Sequence, residues 1–515
     1  MNKVAFVGAA LAALSSTVFA AEAVKRVERG NLVMESVPEI PAELNERLNR
    51  YQQVRGASFS GWLQDGSALI STRFGETAQI HRIERPMGAR TQLTFYPEPI
   101  GGALPHPGKN GFVFAKDTGG NEFFQFYYFD IATGEATLLT EGKSRNTSAL
   151  FSRDGKLFAF STTRRNGKDV DIHLSSLDGK PSAPLLEKEG EWTALDFAPD
   201  AKTLLVRRSV SITESELYTL DLATKALTRF HPTAEPVFFG DARFTADGKS
   251  VVYVSDEGGE FRGLRLQALA GGAEKRFGAL IPWNVEEFEL SPDGSKLAFV
   301  TNEDGIAALY VVALKTGAAL AVPKLPVGQV DGIHFDASGQ RLGFSVDRAT
   351  NPSDLYAFRF GDKTLTRWTA SEVGGLNTAQ FVEPALVRYP SFDGKSIPAF
   401  VYKPKAATAR LPVIINIHGG PEAQALPTFA PITQFYLKEL GIAVITPNVR
   451  GSDGYGKTYL KLDNGLKRED SVKDIGALLD WIATQPDLDA SRVLVTGGSY
   501  GGYMVNWIAG QWPDG

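Results

Sequence analysis

The stretch that decides the fold is VLVTGGSYGGYMVNWI, residues 493–508. A short β-branched run precedes the glycines, and an apolar helical pattern follows them. This is G-x-S-x-G between a strand and a helix, the context of a nucleophile elbow, in which a sharp turn lifts the serine hydroxyl above a sheet. Side chains at the flanking glycine positions would collide with the strand or the helix. The pattern predicts an α/β-hydrolase domain with Ser499 as its nucleophile, and the alternative is a glycine-rich turn with an inert serine.

A second signal lies upstream, where His418-Gly419-Gly420-Pro421 follows the apolar run 411–417. A hydrolase elbow needs an oxyanion hole, which is formed by the N–H after the nucleophile and an N–H from the loop after the third strand. Tyr500 and the glycines after His418 occupy those two places. The motif alone could be a plain turn, but together with the elbow 81 residues later it predicts part of an oxyanion hole.

The surrounding segments predict the rest of a hydrolase sheet. A hairpin is expected over 385–402, further strands over 411–418 and 443–447, and a helix over 471–485. Ser471 and Asp474 resemble a capping box at the start of that helix. Strand, helix and strand in alternation predict a mostly parallel sheet.

Turns of the Asp-Gly type recur before this domain, at intervals of 43 to 47 residues. Asp-Gly favours the positive φ of two-residue hairpin turns, and each turn leads into a β-rich run. A multi-strand unit of this length is typical of a propeller blade. Seven turns predict seven blades, and the turns are Asp65-Gly66, Pro107-Gly108, Asp154-Gly155, Asp200-Ala201, Asp247-Gly248, Asp293-Gly294 and Ser338-Gly339.

Length, charge and cysteine content exclude several classes of function. A length of 515 residues implies at least two domains, and the net charge of −5 gives no reason to expect nucleic acid or an anionic membrane as a partner. Cysteine is absent, which excludes a disulfide framework, a thiolate nucleophile and a cysteine zinc site. We expect no cofactor and no metal, and the sequence contains no indication of an oligomeric state.

The N-terminus has the pattern of an export signal. Lys3 is followed by an apolar run over 4–14, which is too short to span a bilayer, and Val18-Phe19-Ala20 predicts cleavage after Ala20. A buried N-terminal helix is the alternative. We expect a periplasmic or secreted protein without an integral membrane segment after signal removal.

Several motifs resemble the prolyl oligopeptidase family of serine peptidases, with the acylaminoacyl-peptidase-like and dipeptidyl-peptidase-like branches the most similar. The resemblance extends over nearly the whole chain after the signal. It rests on His418-Gly419-Gly420-Pro421, Asn448-Val449-Arg450-Gly451-Ser452, Gly454-Tyr455-Gly456 and Gly497-Gly498-Ser499-Tyr500-Gly501-Gly502-Tyr503, with 41–62 and 120–125 similar to the first of these branches.

The resemblance implies an all-β seven-bladed propeller capping an α/β-hydrolase domain and limiting access to short peptides. It makes Ser499 the nucleophile, with the N–H groups of Tyr500 and Gly420 as the oxyanion hole. The dipeptidyl-peptidase branch has a tyrosine where His418 stands, so a tyrosine hydroxyl is not expected to serve here. Arg450 is a candidate substrate contact or an anchor of its glycine-rich loop, and we favour the anchor.

The expected domains are a signal peptide (1–20), an N-terminal segment packing near the hydrolase domain (21–56), the propeller (57–375) and the hydrolase domain (376–515). A hydrolase triad runs Ser, then Asp or Glu, then His, but no histidine follows Ser499. Asp514 is the one acid after it, and it lies roughly 15–20 Å away at the far end of the next helix. The chain is therefore expected to be a fragment, C-terminally incomplete and inactive alone, with the triad Asp and His beyond residue 515.

Two alternatives stay open. One is an esterase or other acyl hydrolase on the same fold. The other is a non-catalytic propeller binding protein with a degenerate hydrolase domain, against which the intact elbow argues.

Overall fold

The chain forms two compact units, residues 1–48 and 49–515. The computed structural model describes residues 25–362, 364–405 and 409–511, so the signal predicted over 1–20 and Asp514 lie outside the described residues. The first unit contains an antiparallel hairpin of β1 (Arg26–Arg29) and β2 (Leu32–Glu35) and the start of α1 (Ala42–Gln52). None of the described helices has the length and apolar character needed to cross a bilayer.

The second unit begins with seven small antiparallel sheets, which confirm the predicted seven-bladed propeller. Six blades have four strands and the sixth blade has three. The first three blades are β3 (Ser58–Trp62), β4 (Ala68–Thr72), β5 (Gln79–Ile83) and β6 (Thr91–Gln92); β7 (Ala103–Pro105), β8 (Gly111–Lys116), β9 (Gln125–Asp130) and β10 (Glu135–Leu138); and β11 (Asn146–Phe151), β12 (Phe158–Thr162), β13 (Asp171–Ser175) and β14 (Ala183–Leu186).

The remaining blades continue the same order along the chain. They are β15 (Glu191–Phe197), β16 (Thr203–Ser211), β17 (Glu214–Asp221) and β18 (Leu227–Phe230); β19 (Phe239–Phe244), β20 (Ser250–Ser255), β21 (Gly263–Ala268) and β22 (Lys275–Phe277); β23 (Asn284–Leu290), β24 (Lys296–Glu303) and β25 (Ile306–Ala313); and β26 (Gln329–Phe335), β27 (Arg341–Arg348), β28 (Asn351–Arg359) and β29 (Thr366–Arg367).

The repeated turns join the first and second strands of the blades, but the expected two-residue hairpin geometry is wrong. In the third blade, Ser152 N donates to Leu157 O, which leaves a loop of four residues between these two. Gly155 takes the left-handed conformation at φ 69° inside it. Asp154 stabilises this loop through its side chain and not through a positive φ. Its Oδ1 accepts the N–H of Lys156 at 3.1 Å and so closes the loop.

The ring is closed where the last blade meets the first. Each of these blades is built from one continuous stretch of chain, so no strand is exchanged across the seam. The Trp62 indole N–H donates to His334 O at 3.0 Å, and Phe59 N donates to Ser345 Oγ at 2.7 Å. The Arg341 guanidinium lies 3.7 Å from the Trp62 ring centroid. Side-chain contacts therefore hold this seam together, along with a few isolated backbone hydrogen bonds.

The two chain segments that connect the propeller to the rest of the unit run side by side. Arg55 N donates to Glu372 O at 3.0 Å, and Gly374 N donates to Gln53 O at 3.0 Å. Beside them, the buried Tyr51 ring makes an edge contact with Phe435 at 5.4 Å.

The C-terminal sheet has five strands in the order β30-β31-β33-β32-β34. Their bounds are β30 (Ala385–Pro390), β31 (Ser396–Tyr402), β32 (Leu411–Ile417), β33 (Ala443–Pro447) and β34 (Leu488–Gly497). The predicted hairpin and strands are confirmed, but the sheet is not mostly parallel. β32 pairs in parallel with β33 and β34, whereas β31 is antiparallel to β33 and also to β30, to which a tight turn joins it.

Helices cover both faces of this sheet. They are α2 (Pro431–Glu439), α3 (Lys457–Leu460), α4 (Arg468–Thr484) and α5 (Tyr500–Gln511), with 3₁₀ turns at Thr378–Gln380 and Gly465–Lys467. The predicted helix over 471–485 begins earlier than expected. A 3₁₀ turn leads directly into Arg468, so Ser471 and Asp474 lie inside α4 and form no capping box.

One core unites the sheet with α4 and α5, the helix that follows the elbow. It contains fully or almost fully buried side chains from the central strands and both helices: Ile397, Val413, Ile415, Ile445, Val472, Ile475, Leu478 and Met504. A smaller cluster with Leu437 covers the opposite face under α2. The packed sheet therefore forms a rigid base under the end of β34, where Ser499 stands.

Candidate active site

Ser499 occupies a sharp turn between the end of β34 and the first residue of α5. Its φ is 53°, in the left-handed region that non-glycine residues adopt rarely and at a cost on the order of 1–3 kcal/mol. The residue is exposed, and its hydroxyl has no hydrogen bond to any residue that the structure describes. A strained, exposed serine between a strand and a helix is the geometry of a nucleophile elbow.

At two of the four flanking positions, neighbouring backbone atoms lie so close that only glycine fits. A Cβ on Gly501 would lie 2.2 Å from Ile417 O, and a Cβ on Gly497 would lie 2.7 Å from the carbonyl carbon of Gly501. Gly498 has nothing within 4 Å of its Cβ position, and Gly502 meets its nearest atom at 3.5 Å. The expected collision therefore applies to Gly497 and Gly501, the two glycines of the G-x-S-x-G motif, whose small size lets α5 pack against the end of β32.

The loop after β32 lies directly beside the serine. A Cβ on Gly419 would be 3.3 Å from Ser499 Cβ, so a side chain there would crowd the nucleophile. The N–H groups of Gly420 and Tyr500 donate to no acceptor within the described ranges. Tyr500 also begins α5, where the helix dipole adds partial positive charge. The two predicted oxyanion donors are thus on the elements that meet at Ser499, with free N–H groups.

His418 is engaged in its own loop and does not bond to Ser499. Its Nδ1 is 2.7 Å from Gly419 O, and its Nε2 is 2.9 Å from the Ser452 hydroxyl. Burial lowers the His418 pKa and favours the neutral ring. The other five histidines belong to the propeller part of the chain: His81, His106, His173, His231 and His334. The described residues therefore provide Ser499 with no histidine base.

Arg450 is buried, and carboxylates surround its guanidinium. It bonds to Asp474 at 2.7 Å and to Asp393 at 3.0 Å, while its backbone N–H donates to Asp474 Oδ2 at 2.9 Å. Burial alone would lower the Arg450 pKa, but these hydrogen bonds outweigh it and raise the pKa. These contacts fix the glycine-rich loop after β33 to α4 and to the β30–β31 turn. The local sequence around Arg450 does not indicate either acid as its partner.

Propeller loops contact the hydrolase loops around the site. Arg262 pairs with Asp453 at 3.1 Å, and the Asn302 amide donates to Gln424 Oε1 at 2.5 Å. Gln424 lies four residues after Gly420 in the oxyanion loop. The β20–β21 loop of the fifth blade and the end of β24 in the sixth blade therefore contact the hydrolase domain, and the β24 contact reaches the loop beside Ser499.

One group of side chains in the described ranges has the spacing of a metal site. His231, Glu257 and Glu274 offer ligand atoms within 4.8 Å of one another. The Arg265 guanidinium already lies between the two carboxylates, with Nη1 at 3.3 Å from Glu257 and 3.0 Å from Glu274. Arg265 already pairs with both carboxylates, so this group forms an ion-pair network.

Comparisons with known proteins agree with this geometry. Residues 427–515 match the model of the prolyl oligopeptidase family. The chain is 30% identical over 259 residues to the uncharacterized peptidase YuxL of Bacillus subtilis, covering 47% of this chain and 35% of the relative. It is 23% identical over 372 residues to dipeptidyl-peptidase 5 of Porphyromonas gingivalis, covering 67% of this chain and 51% of the relative.

Solved structures show the same fold. One prolyl endopeptidase structure superposes on 91% of this chain and 73% of its own length, with a TM-score of 0.78 and 18% sequence identity. The resemblance to the prolyl oligopeptidase family is therefore confirmed, as is a propeller combined with a hydrolase domain. The chain spans about a third to a half of the length of the two curated relatives named above.

Proposed function

We propose that the complete protein is a serine peptidase that cleaves short peptides through an acyl-enzyme intermediate. The observation that carries this proposal is Ser499, held at φ 53° between β34 and α5, beside a loop whose Gly420 N–H is free. The matches to a peptidase family and to named peptidases support a peptide substrate.

The described residues supply the nucleophile and the oxyanion donors that acyl transfer needs. Ser499 Oγ attacks the scissile carbonyl carbon, and the N–H groups of Tyr500 and Gly420 stabilise the oxyanion that forms on the carbonyl oxygen. A general base takes the hydroxyl proton and returns it to the leaving amine as the acyl-enzyme forms, and water then releases the acyl group by the same route.

We propose that this base, with its carboxylate partner, comes from chain beyond Gly515. The support is twofold: both nitrogens of His418 are engaged by its own loop and by Ser452, and the curated relatives are about two to three times longer than the stretch matched here. A chain ending at residue 515 would then be inactive alone.

The propeller would restrict which substrates reach Ser499. Its loops contact the hydrolase loops through Arg262–Asp453 and Asn302–Gln424, so it stands next to the site rather than apart from it. We further propose export to the periplasm or the medium, on the basis of Lys3, the apolar run over 4–14 and the small residues before the expected cleavage after Ala20.

The test compares peptide and ester substrates in the protein made from its complete gene. We expect aminoacyl nitroanilides to be cleaved, fluorophosphonate to label Ser499, and Ser499→Ala to abolish both reactions. Turnover of simple esters without amide cleavage would instead establish an esterase, and no labelling at all would favour a binding protein. Stoichiometric labelling of the chain ending at residue 515 would contradict the proposed location of the base.

A further inference from the structure

The side chain of Tyr500 is held at its far end. Its hydroxyl lies 2.7 Å from Ser471 Oγ on α4 and 3.3 Å from Asp463 Oδ2. Ser471 Oγ also lies 2.7 Å from Arg468 O. A carboxylate only accepts, so the Tyr500 hydroxyl donates its one proton to Asp463 and accepts from Ser471, whose proton is shared with Arg468 O. The tyrosine that follows the nucleophile is thereby tied to a different helix from its own.

Asp463 supports this contact from a buried position. Its side chain is fully buried, and its Oδ2 accepts from Arg468 Nη1 at 3.0 Å. A Cβ on Gly451 would lie 2.3 Å from Asp463 Oδ1, so only glycine allows the carboxylate to sit there. The Arg468 guanidinium in turn lies 5.2 Å from the centroid of the Tyr500 ring. The ring and the hydroxyl of Tyr500 are thus both restrained.

This restraint acts on the residue whose backbone N–H is one of the two oxyanion donors. Ser499 stands in the left-handed region, so the Ser499–Tyr500 peptide could relieve strain by rotating. Rotation would swing the Tyr500 N–H away from the developing oxyanion, and such donors act only when they are held within a few tenths of an ångström of their acceptor. Anchoring the side chain at its hydroxyl opposes that rotation.

We propose that Ser471 and Asp463 are positioning residues, which hold the Tyr500 side chain and so fix its N–H in the oxyanion hole. Neither touches the reacting atoms. The inference rests on the proposed peptidase function and adds to it a role for two residues on α4 and the loop before it. The sequence alone predicts Ser471 in a helix cap and indicates no role for Asp463.

The test uses Tyr500→Phe and Ser471→Ala in the protein made from its complete gene. Each change removes one side of the anchoring hydrogen bond, so we expect kcat to fall about tenfold while KM stays the same. Because Tyr500→Phe already breaks the contact that Ser471→Ala removes, the double variant should lose no more than Tyr500→Phe alone. A peptide boronic acid, which forms a tetrahedral adduct with the serine, should bind more weakly by the same factor.

Tyr503→Phe is the matched control, because Tyr503 is on the same helix with an exposed side chain and a hydroxyl that bonds to no described residue. It should leave kcat and KM unchanged. If Ser471→Ala does not fold, Tyr500→Phe still decides, since it removes only one hydroxyl. An unchanged kcat in Tyr500→Phe, or losses that simply add in the double variant, would overturn the positioning role.

Ser499→Ala separates this inference from the function on which it rests. Peptide cleavage that survives Ser499→Ala contradicts the peptidase mechanism itself. Cleavage that depends on Ser499 but is unaffected by Tyr500→Phe contradicts the positioning role alone.

Discussion

Arg450 and Asp474 form an ion pair inside the hydrolase domain, with 2.7 Å between Arg450 Nη2 and Asp474 Oδ1 and at most 3% of either side chain exposed. The pair joins the loop after β33 to the middle of α4. Since this loop also carries Ser452, the hydrogen-bond partner of His418, the pair indirectly supports the loop beside the nucleophile.

Removing one partner of this pair should destabilise the domain strongly. Asp474→Ala leaves the Arg450 charge buried with only Asp393 as a carboxylate partner, so we expect the free energy of unfolding to fall by about 3–5 kcal/mol. Urea denaturation followed by circular dichroism measures the change. Asp470→Ala is the control, because its pair with Lys473 is on the surface of the same helix and should contribute less than about 1 kcal/mol. Equal losses in both variants would contradict this view of the pair.

The elbow glycines should differ in their tolerance of alanine. Gly501→Ala would place a Cβ 2.2 Å from Ile417 O, and we expect a loss of about 3 kcal/mol or failure to fold. Gly498→Ala meets nothing within 4 Å and should remain near the stability of the unmodified chain. Thermal unfolding of the two variants side by side measures this difference, and a Gly498→Ala variant as damaged as Gly501→Ala would show that the turn has a different shape.

Asp196 should make the propeller less stable as the pH rises. Burial raises its pKa to about 6, against the attraction of Arg243 and Arg153, from an ordinary value of 3.8. Between these values the folded chain binds a proton that the unfolded chain has lost. The free energy of unfolding therefore falls as the pH rises through this window, by up to about 3 kcal/mol. Asp196→Asn should make this slope shallower in urea titrations at pH 4 to 7. The remainder of the slope comes from Asp347 and Glu287, because burial raises the pKa of these carboxyls to about 6 and about 7.

Asp154 provides a comparison of opposite sign. Its hydrogen bond with Ser152 is the largest of the interactions that lower its pKa to about 2. The folded chain therefore releases this proton more readily than the unfolded chain does, and the stabilisation is present above about pH 4 and lost as the pH falls towards 2. Asp154→Asn should leave the pH dependence of the free energy of unfolding between pH 4 and 6 unchanged. A weaker pH dependence in this variant would contradict its assignment to Asp196.

The contact between Arg262 and Asp453 should control the mobility of the loop after β33. Both side chains are less than a quarter exposed, and Arg262 also lies over the Phe238 ring at 4.5 Å. Arg262→Ala should therefore weaken the local structure by about 1 kcal/mol, which corresponds to roughly fivefold faster amide exchange over 448–456. Arg276→Ala, an exposed arginine on the same blade, should leave exchange there unchanged.

Local sequence determines the parts of this fold that could be predicted. The elbow follows from a strand, a glycine pair on each side of Ser499 and an amphipathic helix, all within 20 residues of chain. The blades follow from turns at even spacing. In both cases the signal depends on neighbouring residues, for which sequence spacing is a good guide to position in space.

The partners that hold the site could not be predicted, because they meet across long separations in the chain. Asp393 and Asp474 are 57 and 24 residues from Arg450, and Ser471 is 29 residues from Tyr500. Ser471 and Asp474 do have the local spacing of a capping box. Tertiary contacts took precedence over that pattern, since α4 begins one turn earlier and both side chains bond to other elements.

The seam between the first and last blades has a consequence for the response of the protein to mechanical force. The contacts of Trp62 with His334 and Arg341 are separate and can break one at a time. Within a blade, by contrast, a full ladder of backbone hydrogen bonds must break together. A chain stretched between its ends in an optical trap should therefore yield first at this seam, and the ring should open as an arc of intact blades.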